Sequence, residues 1–103
     1  LIASGKKAGM RMERGFPTVN VEFFGLARLR AGVDRTTAIG ANLGDVLLDL
    51  SGRFPSLAST CIDGQRLKSG FIANLSGDRF VSEPATPLRD GDALLLLSLD
   101  AGG

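Results

Sequence analysis

The sequence predicts an α+β domain in which one helix covers one face of a small sheet. Three observations lead there. Thr18 to Phe24 alternates with the period of a strand, Leu43 to Phe54 carries an apolar stripe with the period of a helix, and Ala93 to Leu99 is an apolar run shortly before the terminal Gly102-Gly103. A hairpin followed by a helix and further strands, in the order β-β-α-β-β-β, suits an α+β arrangement rather than a doubly wound one. At 103 residues, 44% of them hydrophobic and 22% charged, the chain is long enough for one domain with a modest core.

Residues 1–15 lack periodicity and mix Gly, Lys and Arg with little to bury, which reads as a disordered arm or an expression remnant. A basic docking arm is the alternative. The domain proper is then 16–103. In the first strand Val19, Val21 and Phe23 share one side, and Asn20, Glu22 and Phe24 the other, so Phe24 is an aromatic on an otherwise polar face. Gly25 to Gly32 reads as a loop and Val33 to Ile39 as a second strand at the sheet edge. Asn42 followed three residues later by Asp45 resembles a capping box that opens the helix. Leu43, Val46, Leu47, Leu50 and Phe54 form its apolar stripe, Asp45, Asp49 and Arg53 face water, and Pro55 ends it. Gly44 and Gly52 each weaken this helix by about 1 kcal/mol relative to Ala, so its stability must come from packing on the sheet.

An irregular stretch from Ser56 to Gly70 follows. Phe71 to Leu75 is a third strand, Arg79 to Val81 a short fourth, and Asp90-Gly91 a turn into the last. A strand covered on one face should alternate, yet Leu94 to Leu97 is apolar on both sides. Two of these leucines therefore lack cover, and two readings compete. Either the stretch from Ser56 to Gly70 folds over them, or they belong to a partner-binding surface that Phe24 would join if the first and last strands are adjacent. The pattern does not fix which pair faces out.

Composition excludes several functions. Cys61 is the sole cysteine and histidine is absent, which removes a disulfide framework, a four-cysteine iron–sulfur centre, a histidine-based triad and the usual zinc sets, so no metal site is expected. Cys61 itself reads as a semi-buried thiol with no imidazole to activate it. Lys6, Lys7, Arg11 and Arg14 against Glu13 place +3 in the first fifteen residues, and since the total is +1 the remainder carries −2. No basic field for nucleic acid survives in the domain. No apolar stretch approaches the roughly 18 to 20 residues of a membrane span, and a reducing cytoplasm is the expected compartment.

From Thr18 onward the chain resembles the small sulfur carriers of the MoaD/ThiS type, above all the molybdopterin synthase small subunit. The resemblance rests on Val21-Glu22-Phe23-Phe24 leading into Ala27-Arg28-Leu29-Arg30-Ala31-Gly32, and on Leu43-Gly44-Asp45-Val46-Leu47-Leu48-Asp49-Leu50 closing at Arg53-Phe54-Pro55. Pro87-Leu88-Arg89-Asp90-Gly91-Asp92 and Gly102-Gly103 complete it. It implies a ubiquitin-like β-grasp, a mixed sheet of four to five strands with one helix packed on one face and the last strand parallel to the first. It also implies that the chain is not an enzyme and binds no cofactor. Gly103 would be adenylated, with ATP used by a ubiquitin-activating-type adenylyltransferase, and converted to a thiocarboxylate. Ala101 and Gly102 would be recognised as the tail. Phe24, Arg28 and Leu97 would contact partner enzymes such as the molybdopterin synthase large subunit, and strand parity adds Leu95. Arg28 is otherwise a solvated loop charge.

Ser98-Leu99-Asp100-Ala101 stands where molybdopterin-type carriers carry prolines, and the stretch between helix and third strand has the length seen in carriers for cysteine synthesis. Delivery of sulfur for thiamine, cysteine or tRNA thiolation, or conjugation to proteins through Gly103, are therefore the alternatives.

Overall fold

The computed structural model describes residues 16–99; the arm read at 1–15 and the tail residues Ala101, Gly102 and Gly103 lie outside them. The elements in chain order are β1 (Thr18–Phe23), α1 (Leu26–Ala31), β2 (Arg35–Ile39), α2 (Leu43–Arg53), α3 (Pro55–Cys61), β3 (Ile62–Asp63), β4 (Arg66–Leu67), β5 (Phe71–Leu75), β6 (Arg79–Val81) and β7 (Ala93–Ser98). The main sheet runs β2-β1-β7-β5-β6, and β3 and β4 form a separate small hairpin. Among the described strands the β1–β7 pair alone is parallel and the others are antiparallel, so the sheet is mixed as expected. No helix among the described residues is long and apolar enough to cross a membrane.

β7 sits in the centre of the sheet because the turn before it is pinned to β1. Asp90 Oδ1 accepts from Thr18 N–H at 2.9 Å, Gly91 N–H donates to Thr18 C=O at 2.8 Å, and Asn20 N–H donates to Asp92 C=O at 2.8 Å. Gly91 has φ +85°, a left-handed conformation that glycine reaches without strain. These bonds set the register Val21 against Leu94 and Phe23 against Leu96, which sends both leucines to the side of the helices.

The helical layer is richer than the sequence pattern predicts. Gly25 to Gly32 is not a loop: Leu26-Ala27-Arg28-Leu29-Arg30-Ala31 are good helix formers and make α1. Gly32 closes it in the left-handed conformation, its N–H donating to Arg28 C=O at 2.9 Å. Pro55 ends α2 and also opens α3, where a missing N–H at the first position costs nothing. The segment read as irregular thus holds α3 and the β3–β4 hairpin. Cys61 is not in a loop but is the last residue of α3, only 1% exposed. Among the described residues three helices rather than one pack on the sheet, all contributing to one core.

In α2 the capping residue behaves as read, with Asn42 Oδ1 accepting from Asp45 N–H at 2.8 Å. The next free donors, Leu43 and Gly44 N–H, are taken by Thr86 and Pro84 C=O at 3.0 and 2.9 Å. A Cβ on Gly44 would lie 3.0 Å from Pro84 Cβ, so this glycine admits a neighbour rather than merely weakening the helix. Leu43, Val46, Leu47 and Leu50 are buried against Val19, Val21, Phe23, Leu94 and Leu96, each buried leucine contributing about 1.5–3 kcal/mol. Phe23 and Phe54 meet edge to face at 6.0 Å.

Candidate docking face and tail root

Side chains alternate along β7: Leu94 and Leu96 are buried, Leu95 and Leu97 only partly. The register identifies what surrounds the second pair. Leu97 lies opposite Ile72, and Phe24 N–H donates to Leu96 C=O at 2.9 Å, which extends the parallel ladder and sets Phe24 beside Leu97. In the next row Glu22, Leu95, Asn74 and Phe80 follow one another across four strands. Among the described residues no helix covers this side, because α1, α2 and α3 all contribute to the core on the other. The stretch from Ser56 to Gly70 does not fold over Leu95 and Leu97; its α3 packs on α1 and α2.

Phe24, Leu95 and Leu97 thus share one face, with Phe24 41% and Phe80 62% exposed. Arg28 stands apart from them, on α1. Its Nε is 3.6 Å from Asp34 Oδ1 with both side chains largely exposed, an ion pair worth about 0–1 kcal/mol. Ile72, Asn74 and Phe80 enlarge the face and were not singled out by pattern alone. Their signal was the alternation in Phe71 to Leu75, which needs the register to β7 before it names a side. Asn74 is unusual there: its Oδ1 is buried and meets no hydrogen-bond donor among the described residues. On the β1 side a shallow depression of about 170 Å³ opens between Asn20, Glu22, Arg35, Ala93 and Leu95.

The strand leaves the sheet at a fixed point. Leu99 N–H donates to Gly70 C=O at 2.7 Å, and a Cβ built on Gly25 would lie 3.7 Å from Ser98 Cβ, so the exit is bracketed by the start of α1 and the turn before β5. Cys61 is the nucleophile of greatest interest among the described residues. Burial pushes its thiol pKa up, while the charges of Arg30 and Lys68 draw it down less. A buried thiol with little thiolate at neutral pH is a poor nucleophile, so it offers no catalytic group.

No protein-family model matches the chain, and no curated protein matches it significantly. Several solved structures do. The HVO 2177 protein of Haloferax volcanii superposes with a TM-score of 0.73 at 27% identity, over 92% of this chain and 94% of that one. The small archaeal modifier protein 1 of Methanosarcina acetivorans gives 0.70 at 24% identity, over 87% and 100%. A Pyrococcus furiosus protein described as a putative molybdopterin converting factor, subunit 1, gives 0.65 at 24% identity, over 80% and 97%. The chain has the ubiquitin-like β-grasp fold of these small modifier and molybdopterin-converting proteins.

Proposed function

We propose that this chain is a sulfur carrier whose terminal Gly103 is activated and converted to a thiocarboxylate, most directly for molybdopterin synthesis. The observation that carries the reading is the continuity between an uncovered apolar face, Phe24, Leu95, Leu97 and Ile72, and the exit of the chain at Leu99. Three residues separate Leu99 from Gly103, a reach of four Cα steps or at most about 14 Å. A partner that acts on Gly103 must therefore dock close to the exit, and this face is the apolar surface nearest to it along β7.

The chemistry follows from the terminal group. A carboxylate is a weak electrophile because its charge is delocalised and oxide leaves poorly. Attack of the Gly103 carboxylate on the α-phosphorus of ATP, in the activating enzyme, forms an acyl-adenylate and releases pyrophosphate. A persulfide sulfur then displaces AMP at the acyl carbon, and reduction of the resulting S–S bond by a thiol leaves the thiocarboxylate. The carrier supplies the reacting carbon and its partners supply the catalysis. Gly102, without a Cβ, and Ala101, with a small one, suit a narrow channel into such an active site. A cytoplasmic setting fits a thiol-dependent sequence.

Incubation with ATP, an adenylyltransferase of this type and a persulfide donor tests the proposal by intact mass. Exchange of one oxygen for sulfur at the C-terminus is expected in the native chain and is expected to vanish when Gly102 and Gly103 are deleted. Persistent absence of the exchange in the native chain would reject it. A second reading has its own support, since the Methanosarcina match is a modifier protein. Conjugation through Gly103 would leave residues 90–103 attached to lysines of other proteins in tryptic digests of the native extract, because no Lys or Arg follows Arg89.

A further inference from the structure

β2 is an edge of the main sheet, and an edge strand presents unpaired N–H and C=O groups to any extended chain that can reach it. In an antiparallel ladder successive residues turn these groups alternately toward the partner strand and away from it. Phe23 N–H donates to Asp34 C=O at 2.8 Å and Gly40 N–H donates to Pro17 C=O at 3.1 Å. With Val21 paired to Thr36 and Val19 to Ala38, the even-numbered residues of β2 face β1. Arg35, Thr37 and Ile39 therefore turn their backbone groups outward, beyond the sheet.

Side chains from α2 occupy two of these outward groups. Asp49 Oδ2 accepts from Ile39 N–H at 3.0 Å, and Arg53 Nη2 donates to Thr37 C=O at 2.5 Å. The two side chains sit one helical turn apart and meet at 3.3 Å. The guanidinium also lies over the Phe54 ring, 5.2 Å from its centroid, and Nη1 reaches Thr36 Oγ1 at 3.4 Å. Such multiple anchoring is not that of a solvated surface charge.

We infer that Asp49 and Arg53 plug the β2 edge, and that the surface they close fits the β2 strand of a second copy of this chain, paired antiparallel about Thr37. The fit comes from the strand itself. Centring on Thr37 sets Ile39 of one copy opposite Arg35 of the other, so an exposed isoleucine would be covered by an arginine's aliphatic stem with no like charges opposed. The arrangement is isologous and therefore closes on itself as a dimer. The plug blocks it directly. Both bonds of the Thr37–Thr37 pair need Thr37 C=O, and one bond of each Arg35–Ile39 pair needs Ile39 N–H; these are the groups already taken. The inference does not rest on the sulfur-carrier reading.

The test is sedimentation velocity of the full chain over a hundredfold concentration range, with amide exchange at Ile39 followed by NMR. D49A/R53A is expected to speed Ile39 exchange at least tenfold and to self-associate at concentrations where the native chain does not change. Adding Thr37→Pro removes an outward N–H that no strand of the sheet uses, and is expected to abolish that association. Asp49→Asn keeps an acceptor for Ile39 and is expected to behave as native. If the double variant unfolds, Arg53→Met keeps an apolar stem on Phe54 while freeing Thr37 C=O, and is expected to associate more than native. Unchanged association with accelerated Ile39 exchange overturns the inference. Association that survives Thr37→Pro, or none in a folded Arg53→Met, does so equally.

Discussion

Leu96 and Leu97 are neighbours of identical chemistry on one strand, and the fold places them in opposite surroundings. Leu96 is 2% exposed among the helices, whereas Leu97 lies on the uncovered face beside Phe24 and Ile72. Leu96→Ala removes buried methyl groups and leaves a cavity, at a cost of about 2–5 kcal/mol. For a domain of this size each kcal/mol moves the melting temperature by about 4–8 °C, so the loss should reach at least about 8 °C. Leu97→Ala leaves no closed cavity, because solvent reaches the site, and gives up part of the about 1.5–3 kcal/mol of a fully buried leucine. A cost of about 1 kcal/mol is expected. Circular-dichroism melts of the free variants read this difference directly. Titration against the activating enzyme should then reverse the order: Leu97→Asp places a charge within the proposed contact, and a hot-spot loss of about 2 kcal/mol, on the order of thirtyfold in Kd, is expected. Equal melting losses for the two alanine variants would put Leu97 in the core and refute the assignment. Native-like binding by Leu97→Asp would remove the face from docking.

Two further outcomes follow from the core. The Cys61 thiol, raised by burial, keeps its proton in the folded chain at pH values where the unfolded chain has lost it. Stability should therefore be level below the thiol's ordinary pKa of 9.0 and fall as pH rises above it, a slope that urea titrations should find weakened in Cys61→Ala. Gly44→Ala should destabilise despite a helix-propensity gain of about 1 kcal/mol, because overpacking against Pro84 costs about 1–3 kcal/mol. A lower urea midpoint at unchanged slope is the expected reading; a higher midpoint would mean that the Pro84 loop yields freely.

The strands and α2 are legible in sequence because each repeats its period long enough to be recognised. α1 is not, since six residues complete fewer than two turns and Gly25 and Gly32 at its ends resemble loop punctuation. α3 is hidden by Pro55, which reads as a terminator although it also opens a helix; Leu57 and Cys61, four residues apart and both buried, were its available signal. For the docking face, the leucine run announces that one pair must face outward, but only the bonds from Thr18 and Asn20 to the turn before β7 decide that Leu95 and Leu97 are that pair. Asp49 and Arg53 illustrate a different limit. Helical position assigns them to water, and so they are partly exposed, but their bonds to β2 cross between elements and leave no trace in local periodicity.

The outer row of the sheet also bears on why the leucines are there. Leu95 is flanked by Glu22 on β1 and Asn74 on β5, both polar and both at register positions on the same face. A row that accommodates a carboxylate and an amide beside Leu95 does not require an apolar side chain there to form, and strand propensity would be served as well by threonine. The fold therefore accounts fully for Leu94 and Leu96, whose burial with α2 helps to stabilise the domain, but only in part for Leu95 and Leu97, which are half-buried. Their remaining exposed surface is continuous with Phe24 on the same face, and a contiguous apolar patch is the kind of surface that marks an interaction site. What the outer leucines share is their place on the strand that leads to Leu99 and the tail. On the proposed function, recognition by a partner that acts on Gly103 supplies the remaining reason for their chemistry.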